Sequence, residues 1–243
     1  MLRLILFLLI GLLSIGTISG DVTSDVKNNI FELELVPLSE IIKDPTAYDS
    51  TMAYRRISVI GNVSVMDKNL IAIYQDGDEL KVDRTNDQLF VGFNTGDGIK
   101  LTGQFLYKPM GTSIFYPKYV LHYPTVHMGE VNVSDIISDP GKFNGKYVTV
   151  IGNITDIRST MGEYIISLSS MDNGQNLRVS YLGSTEVQAG DVVIVTGLVN
   201  GATLYSEQMG KYSPLSISTF IPGFTYLWTL FILGLLVIYM KHE

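Results

Sequence analysis

The stretch LSEIIKDP at residues 38–45, followed by ISVIGNV at residues 57–63, decides the fold of this chain because it occurs twice. The second copy reads VSDIISDP at residues 133–140 and VTVIGNI at residues 148–154. Both copies keep the same order of apolar, acidic, proline and glycine positions. A repeated pattern of this length indicates that the chain contains two related units.

A third matched element extends the repeat through the whole unit. GDGIKLTG at residues 96–103 corresponds to GDVVIVTG at residues 190–197, at nearly the same distance from the earlier elements. We therefore assign one domain to residues 33–123 and a second domain to residues 129–212. Roughly 95 residues suffice for one hydrophobic core in each domain, and no long linker is needed between them.

Each copy opens with a segment that is typical of a short helix. Ser39 and Ser134 are predicted to cap the start of the helix, and an acid follows in its first turn. Pro45 and Pro140 are predicted to end it, because proline cannot continue a helix.

An alternating strand follows the helix in both copies, and Gly61 or Gly152 interrupts it. A glycine inside a strand indicates a bulge or a sharp bend, which lets one long strand pair on both sides of a small barrel. Asp-Gly and Asn-Gly turns separate the remaining strands. These strands are predicted over residues 70–74, 80–82, 89–93, 99–106 and 113–121 in the first copy, and 164–168, 177–182, 192–199 and 203–208 in the second.

The predicted fold class is all-β, with two tandem five-stranded OB-like barrels that are each preceded by a short helix. Strand propensity alone leaves a β-sandwich open, but five short strands with an early glycine-marked bend favour the barrel. Residues 139–154, DPGKFNGKYVTVIGNI, resemble the opening of OB-fold domains in the "tRNA anti-codon-like" nucleic-acid-binding superfamily. That superfamily includes nucleic-acid binders and many exported proteins without this role, so the resemblance implies a fold rather than an activity.

A narrower resemblance concerns the second copy. Residues 178–183, 188–197 and 212–214 are similar to the strand, charged turn, strand and terminal Tyr-x-Pro pattern of the periplasmic haem chaperone of cytochrome c maturation, a membrane-tethered OB barrel. That family carries its haem on a histidine four residues before the tyrosine, where this chain has Gln208. The family's anchor is also N-terminal, whereas the long apolar segment of this chain is C-terminal.

Both ends of the chain carry membrane signals. Residues 1–20 place an arginine before an acid-free apolar run, which predicts an export signal peptide or, if it is not cleaved, an anchor. Residues 220–240 are apolar without a charge and are followed by Lys241, which predicts a single transmembrane helix. Either reading of the first segment places both domains outside the cytoplasm. The expected partners are therefore the membrane and other envelope proteins.

The composition excludes several classes of function. The chain has no cysteine, which excludes disulfides, thiolate metal sites and thiol catalysis. Its net charge is -7, and its basic residues are scattered, which argues against nucleic acid as a partner. The adjacent Arg55 and Arg56 are read as a solvated strand edge. No nucleophile elbow, phosphate loop or zinc-hydrolase motif is present, so we expect neither an enzyme nor any catalytic residue.

The candidate ligand-binding residues are aromatic or histidine. Tyr107, Tyr116 and Tyr119 are of the type that stacks nucleic-acid bases on OB barrels, and lysines lie near them. His122 and His127 are of the type that ligates haem, but two histidines without carboxylate or thiol neighbours form an incomplete metal site. We therefore expect no metal and no cofactor, and half-buried strand aromatics also serve as core residues.

Three Asn-x-Ser/Thr sequons, at Asn62, Asn132 and Asn153, are candidate glycosylation sites in an exported protein. The leading functional hypothesis is a membrane-tethered, extracytoplasmic, non-catalytic binding or assembly module. The first alternative is a haem or cofactor chaperone for envelope redox proteins. The second is exported binding of single-stranded nucleic acid.

Overall fold

A computed structural model of the protein describes residues 33–51, 54–160 and 162–212. The predicted signal segment at residues 1–20 and the predicted span at residues 220–240 lie outside these residues. Within the described part of the chain, no helix has the length and apolar character needed to cross a bilayer.

The described residues form short helices and eleven strands. The α-helices are α1 (Leu38–Lys43), α2 (Val133–Ser138) and α3 (Pro140–Phe143), and two 3-10 helices cover Pro45–Tyr48 and Asp87–Phe90. The strands are β1 (Ile57–Met66), β2 (Leu70–Gln75), β3 (Asp78–Asp83), β4 (Gly98–Leu106), β5 (Ile114–His122), β6 (His127–Glu130), β7 (Tyr147–Thr160), β8 (Glu163–Ser169), β9 (Asn176–Tyr181), β10 (Val192–Asn200) and β11 (Thr203–Lys211).

The strands close into two five-stranded barrels of the same topology. In barrel 1 the strand order is β1-β2-β3-β5-β4, and β4 pairs back with β1. In barrel 2 the order is β7-β8-β9-β11-β10, β10 pairs back with β7, and the short β6 adds to the outer edge of β7. This is the five-stranded Greek-key barrel of the OB fold, so the predicted architecture is confirmed.

One long strand serves both sides of each barrel, as the glycine pattern predicts. Asn62 of β1 pairs with both β2 and β4, and Asn153 of β7 pairs with both β8 and β10. At Gly61 an added Cβ would lie 3.1 Å from a carbonyl oxygen of β2, and at Gly152 it would lie 2.7 Å from one of β8. Glycine therefore permits the close approach, while the register shift itself lies a few residues later in each strand.

The helices begin two residues earlier than the sequence predicts. Pro37 and Asn132 occupy the N-cap positions and no side chain caps either helix, so Ser39 and Ser134 are already inside the first turn. The predicted serine caps are therefore wrong. Backbone bonds from each leading segment to the first strand fix the start of the helix, such as the one from the Val36 N–H to Ser58.

The predicted strand at residues 89–93 is also wrong. A 3-10 helix occupies Asp87–Phe90, and the Leu89 N–H donates to the carbonyl of Asn86. Leu89 and Phe90 are buried in the barrel core. A short apolar run cannot distinguish a buried strand from a buried helical turn, and here the run closes the end of the barrel between β3 and β4.

Each barrel has its own hydrophobic core, into which α1 or α2 contributes from one end. In barrel 1 the helix contributes Leu38 and Ile41, and in barrel 2 it contributes Val133 and Ile136. A third buried cluster belongs to neither interior, because it lies between the two barrels. That third cluster positions the candidate site.

Candidate functional site between the barrels

The two barrels meet through the outer faces of their last strand pairs. Tyr119 and Leu121 of β5 are buried with Leu198 of β10, and Tyr147 and Tyr205 pack against this cluster. The rings of Tyr119 and Tyr205 meet edge to face, with their centroids 4.9 Å apart. Both side chains lie outside their own barrel core, so their burial depends on the contact between the barrels. We call this cluster and the hydrogen bonds around it the junction.

Asn144 forms the most extensive polar contact of the junction. It follows α3, is only 1% exposed, and reaches from barrel 2 into the end of barrel 1. Its Nδ2 donates to the carbonyl oxygens of Leu89 and Val91, at 3.0 and 2.8 Å. Its Oδ1 accepts from the Gly201 N–H at 2.9 Å. The amide therefore ties the 3-10 helix of barrel 1 to the β10–β11 turn of barrel 2.

Two further hydrogen bonds cross the junction directly. The buried Asn200 Nδ2 donates to the carbonyl oxygen of Val120 at 2.7 Å, and the His122 N–H donates to the carbonyl oxygen of Gly145 at 3.0 Å. Gly145 has a φ of +73°, and a Cβ there would overlap the ring of Phe93. Only glycine fits both the backbone conformation and the close approach.

His122 acts as a packing residue in this geometry. Its imidazole stacks on Phe93 with the ring centroids 4.3 Å apart. Burial lowers the pKa of His122, the nearby Lys146 lowers this pKa further, and Asp97 opposes both effects. The physical cause is that a partly buried imidazolium loses hydration and meets a second positive charge. The neutral imidazole is therefore favoured in the folded protein.

A cleft opens beside the junction and is lined by both barrels. Its volume is about 390 Å³. Arg56 enters from the segment before β1, Lys118 and Tyr116 from β5, Gln104 from β4, and Tyr205 from β11 of barrel 2. The rest of the lining is Asn86, Leu89, Gly103 and Pro117.

The charge of the cleft differs in sign from the net charge of the chain. Arg56 and Lys118 are both exposed, and neither forms an ion pair with a residue that the structure describes. The ammonium of Lys118 lies 5.2 Å from the centre of the Tyr119 ring. Partial burial and then the positive charge of Arg56 lower the pKa of Lys118, whereas Glu163 raises it. The two cations are therefore close enough to repel one another.

Tyr119 and Tyr205 keep their protons at neutral pH. Burial raises the pKa of Tyr119 to about 12, and the neighbouring Tyr205 adds to this shift. Burial also raises the pKa of Tyr205. A protonated phenol can donate a hydrogen bond, so this wall combines aromatic faces, hydroxyl groups and positive charge. Such a surface suits an anionic group better than a cation.

The structure separates the five predicted ligand-binding residues. Tyr116 lines the cleft, and Tyr119 and His122 lie in the junction. Tyr107 lies elsewhere on barrel 1, in a groove of about 380 Å³ beside α1. His127 is exposed and stacks on Tyr147 with the ring centroids 5.1 Å apart. The two histidines thus pack against different rings, and the described residues contain no cluster of three or more metal-ligating side chains.

The three sequon asparagines occupy different environments. Asn62 is exposed on β1, and Asn132 is exposed at the residue before α2. Asn153 is partly buried on β7, and its Oδ1 has no hydrogen-bond partner among the described residues. Asn62 and Asn132 therefore offer more accessible side chains than Asn153 for modification.

The residues that build the junction carry no distinctive sequence pattern. Asn200-Gly201 predicts a turn, which the structure confirms between β10 and β11, but nothing in it indicates that the asparagine reaches the other barrel. Asn144 is part of the resemblance to OB domains without a specific role there. Arg56 has the appearance of a solvated strand edge, and only the fold brings it beside Lys118. The sequence contains one indication of the junction, because the two copies of the repeat differ at the positions that form it, for example at Asn144, where the first copy has Asp49.

No protein-family model matches the chain, and no curated protein matches it either. Similar solved structures include the telomere capping protein Ten1 from Saccharomyces pombe, at 11% identity and a TM-score of 0.30 over 37% of this chain and 80% of that one. They also include the S. pombe Stn1-ten1 complex, at 17% identity and 0.25 over 40% and 78%. A third is the hypothetical protein ygiW from E. coli, at 13% identity and 0.29 over 37% and 89%. The fold assignment above depends on strand order and not on these similarities.

Proposed function

We propose that this chain is a membrane-tethered, extracytoplasmic binding or assembly module without catalytic activity, whose two barrels act as one platform. The observation that carries the proposal is the cleft, because residues of both barrels line it beside a buried junction. Other envelope proteins are the proposed partners, and the cleft is the proposed contact surface.

The buried contacts of the junction support a platform of fixed geometry. Interfaces between domains of one chain are often polar and permit relative motion. This junction instead buries Leu198 completely and encloses the side chains of Asn144 and Asn200. Separating the barrels would expose the apolar cluster and break at least four hydrogen bonds, which are those of Asn144 to Leu89 and Val91, of Asn200 to Val120 and of His122 to Gly145. A partner would therefore meet a preformed cleft and would not have to order it.

The apolar end segments support the tether. Residues 220–240 are long enough for one helical span, and residues 1–20 have the pattern of an export signal. A tether would hold the barrels close to the outer face of the membrane and raise their effective concentration for other membrane proteins. Weak contacts with a partner would then be sufficient for assembly.

The absence of cysteine makes the topology directly testable in the full-length protein. Asn173→Cys places a thiol in the exposed turn between β8 and β9, and a cysteine added after Glu243 places one at the other end. In intact cells, a membrane-impermeant maleimide should label Asn173→Cys and should label the C-terminal cysteine only after permeabilisation. The reverse pattern, or equal labelling of both, would contradict the proposed orientation.

The role of the cleft is tested by site-specific photocrosslinking in the native membrane. A photoreactive residue at Gln104 lies in the cleft, whereas one at Lys68 lies in the exposed β1–β2 loop as a matched control. We expect Gln104 to form a defined product with one envelope protein and Lys68 to form none. Identical products from both positions, or no product from Gln104, would argue against the cleft as the contact surface.

A further inference from the structure

The cleft holds two positive charges, and neither forms an ion pair with a residue that the structure describes. Arg56 comes from the segment before β1 and Lys118 from β5, so the fold brings them together from distant parts of the sequence. Placing two cations at one cleft costs free energy unless an anion joins them. Glu163 lies near enough to raise the pKa of Lys118 and so offsets part of this charge, but it is not among the residues that line the cleft and forms no ion pair with Lys118.

The remaining lining suits a carboxylate on a flexible chain. Gln104 and Asn86 offer side-chain amides, and the rings of Tyr116 and Tyr205 lie on the two barrels. Arginine binds a carboxylate through two parallel hydrogen bonds, and lysine adds a point charge. Tyrosine contributes apolar contact area with little loss of side-chain freedom.

We propose, on the basis of the function proposed above, that the cleft binds an acidic segment of a partner protein, with its carboxylates held by Arg56 and Lys118 between Tyr116 and Tyr205. The occupant is a peptide segment with at least two Asp or Glu residues. Charge complementarity selects it, because the cleft is positive on a chain whose net charge is -7.

The same charge distribution disfavours nucleic acid as the occupant. Nucleic-acid affinity depends on many phosphate contacts along a basic track. Here the cations of the cleft are Arg56 and Lys118, and Arg178 is the further basic residue that acts on Tyr205. A short acidic peptide needs only two cations, whereas a longer polyanion would also meet the acidic remainder of the protein.

The test measures peptide binding to the full-length protein in nanodiscs of neutral phosphatidylcholine. The probes are a fluorescein-labelled (Gly-Glu)4 peptide, the matched (Gly-Gln)4 peptide and a fluorescein-labelled dT12 strand. We expect (Gly-Glu)4 to bind more tightly than both other probes and its binding to weaken as salt is raised from about 50 to about 500 mM, because added salt screens the charges of the cleft.

The decisive comparison is between two double variants of equal charge. Arg56→Glu with Lys118→Glu should weaken (Gly-Glu)4 binding by at least about tenfold, which corresponds to about 1.4 kcal/mol. Lys81→Glu with Lys108→Glu changes two exposed lysines outside the cleft by the same total charge and should alter binding by less than about twofold. Arg56→Gln with Lys118→Gln removes the cations without reversing them and should show an intermediate loss.

Each outcome decides the proposal. Equal losses in the two double variants would show long-range charge alone and overturn it, and so would tighter binding of dT12 or no binding of (Gly-Glu)4. Protection of a Gln104→Cys thiol from maleimide by (Gly-Glu)4 would support it even if a charge variant folds poorly. If Gln104 crosslinks an envelope protein while (Gly-Glu)4 fails to bind, the proposed function stands and the acidic-segment inference falls.

Discussion

The two barrels share one topology but present different surfaces at equivalent positions. Tyr119 pairs with Thr102 across β4 and β5, and Gln208 pairs with Thr196 across β10 and β11. Tyr119 is buried in the junction, whereas Gln208 is exposed. Two residues further along each strand, barrel 1 has the apolar Leu121 and barrel 2 has Gly210. Barrel 1 therefore has a docking face that barrel 2 lacks, so the contact is made once within the described chain and does not propagate.

The barrels also differ at a second pair of equivalent positions, Asp49 in barrel 1 and Asn144 in barrel 2. Asp49 and Asn144 both follow the short helix that begins at a proline, at Pro45 and Pro140. Asp49 accepts from the Thr51 hydroxyl at 2.7 Å and thereby holds a loop of its own barrel. Asn144 has an amide nitrogen where Asp49 has a carboxylate oxygen, and this nitrogen donates to carbonyl oxygens of barrel 1. The exchange of a carboxylate oxygen for an amide nitrogen thus separates an internal contact from an inter-barrel contact.

The largest expected effect comes from exchanging this pair. Asn144→Asp removes the donor and places a carboxylate against the carbonyl oxygens of Leu89 and Val91, so we expect a loss of about 4 kcal/mol in the free energy of unfolding. Asp49→Asn keeps one acceptor oxygen for the Thr51 hydroxyl and should lower the free energy of unfolding much less than Asn144→Asp. Thermal unfolding of the full-length protein in nanodiscs, followed by circular dichroism, measures both.

The same scan also tests whether the barrels unfold together. Wild-type protein should show one cooperative transition, because the junction couples the two cores. Asn144→Asp should separate it into two transitions, whereas Asp49→Asn should leave one. A single transition of unchanged midpoint in Asn144→Asp would show that Asn144 does not couple the barrels.

The second exchange tests the apolar half of the junction. Tyr119→Gln places the residue of barrel 2 into barrel 1 and removes the edge-to-face contact with Tyr205, so we expect a loss of about 3 kcal/mol. Gln208→Tyr makes the reverse change at an exposed position and should alter stability by less than about 0.5 kcal/mol. Equal effects of the two substitutions would mean that the docking faces do not differ.

A third comparison concerns two equivalent hydroxyl pairs. The Ser58 and Thr102 hydroxyl oxygens lie 2.8 Å apart and are fully buried, whereas those of Thr149 and Thr196 lie 2.9 Å apart and are half-buried. Thr102→Val leaves the Ser58 hydroxyl without its partner and away from water, which should cost about 1.5 kcal/mol. Thr196→Val should cost about 0.5 kcal/mol, because water reaches Thr149. Urea denaturation of the two variants provides the measurement, and a larger cost for Thr196→Val would reverse the assignment.

The internal geometry of each barrel was predictable because the repeat records it twice. Gly61 and Gly152 predict the shared strand correctly, since a side chain there would meet the backbone of the neighbouring strand. Local rules failed where tertiary contacts decide the structure. Leu89 belongs to a 3-10 helix and not to a strand, and Ser39 is not a cap, because pairing of the preceding segment with β1 starts the helix earlier.

The candidate site was less predictable than the fold because it depends on how the barrels meet. Tyr119 has the residue type of an exposed stacking platform, but contact with barrel 2 buries it. Arg56 and Lys118 are separated by almost the whole of barrel 1 in sequence, so no local pattern joins them. The signal that the sequence did contain was asymmetry between the copies, at Tyr119 against Gln208 and at Asn144 against Asp49.

The smallest expected effect is a pH dependence that barrel 1 has and barrel 2 lacks. His122 corresponds in register to Lys211, which is exposed and lies 3.0 Å from the Asp191 carboxylate. Burial and then Lys146 lower the pKa of His122 below that of an unfolded histidine, which is about 6.5. The unfolded chain therefore binds more protons than the folded one as the pH falls below about 6.5, and stability decreases through that range down to the folded pKa.

His122→Gln should therefore reduce the fall in the free energy of unfolding between about pH 7 and pH 5. The same measurement on wild-type protein provides the reference, because protonation of carboxylates contributes equally to both. An unchanged slope in His122→Gln would show that protonation of this imidazole does not weaken the contact between the barrels.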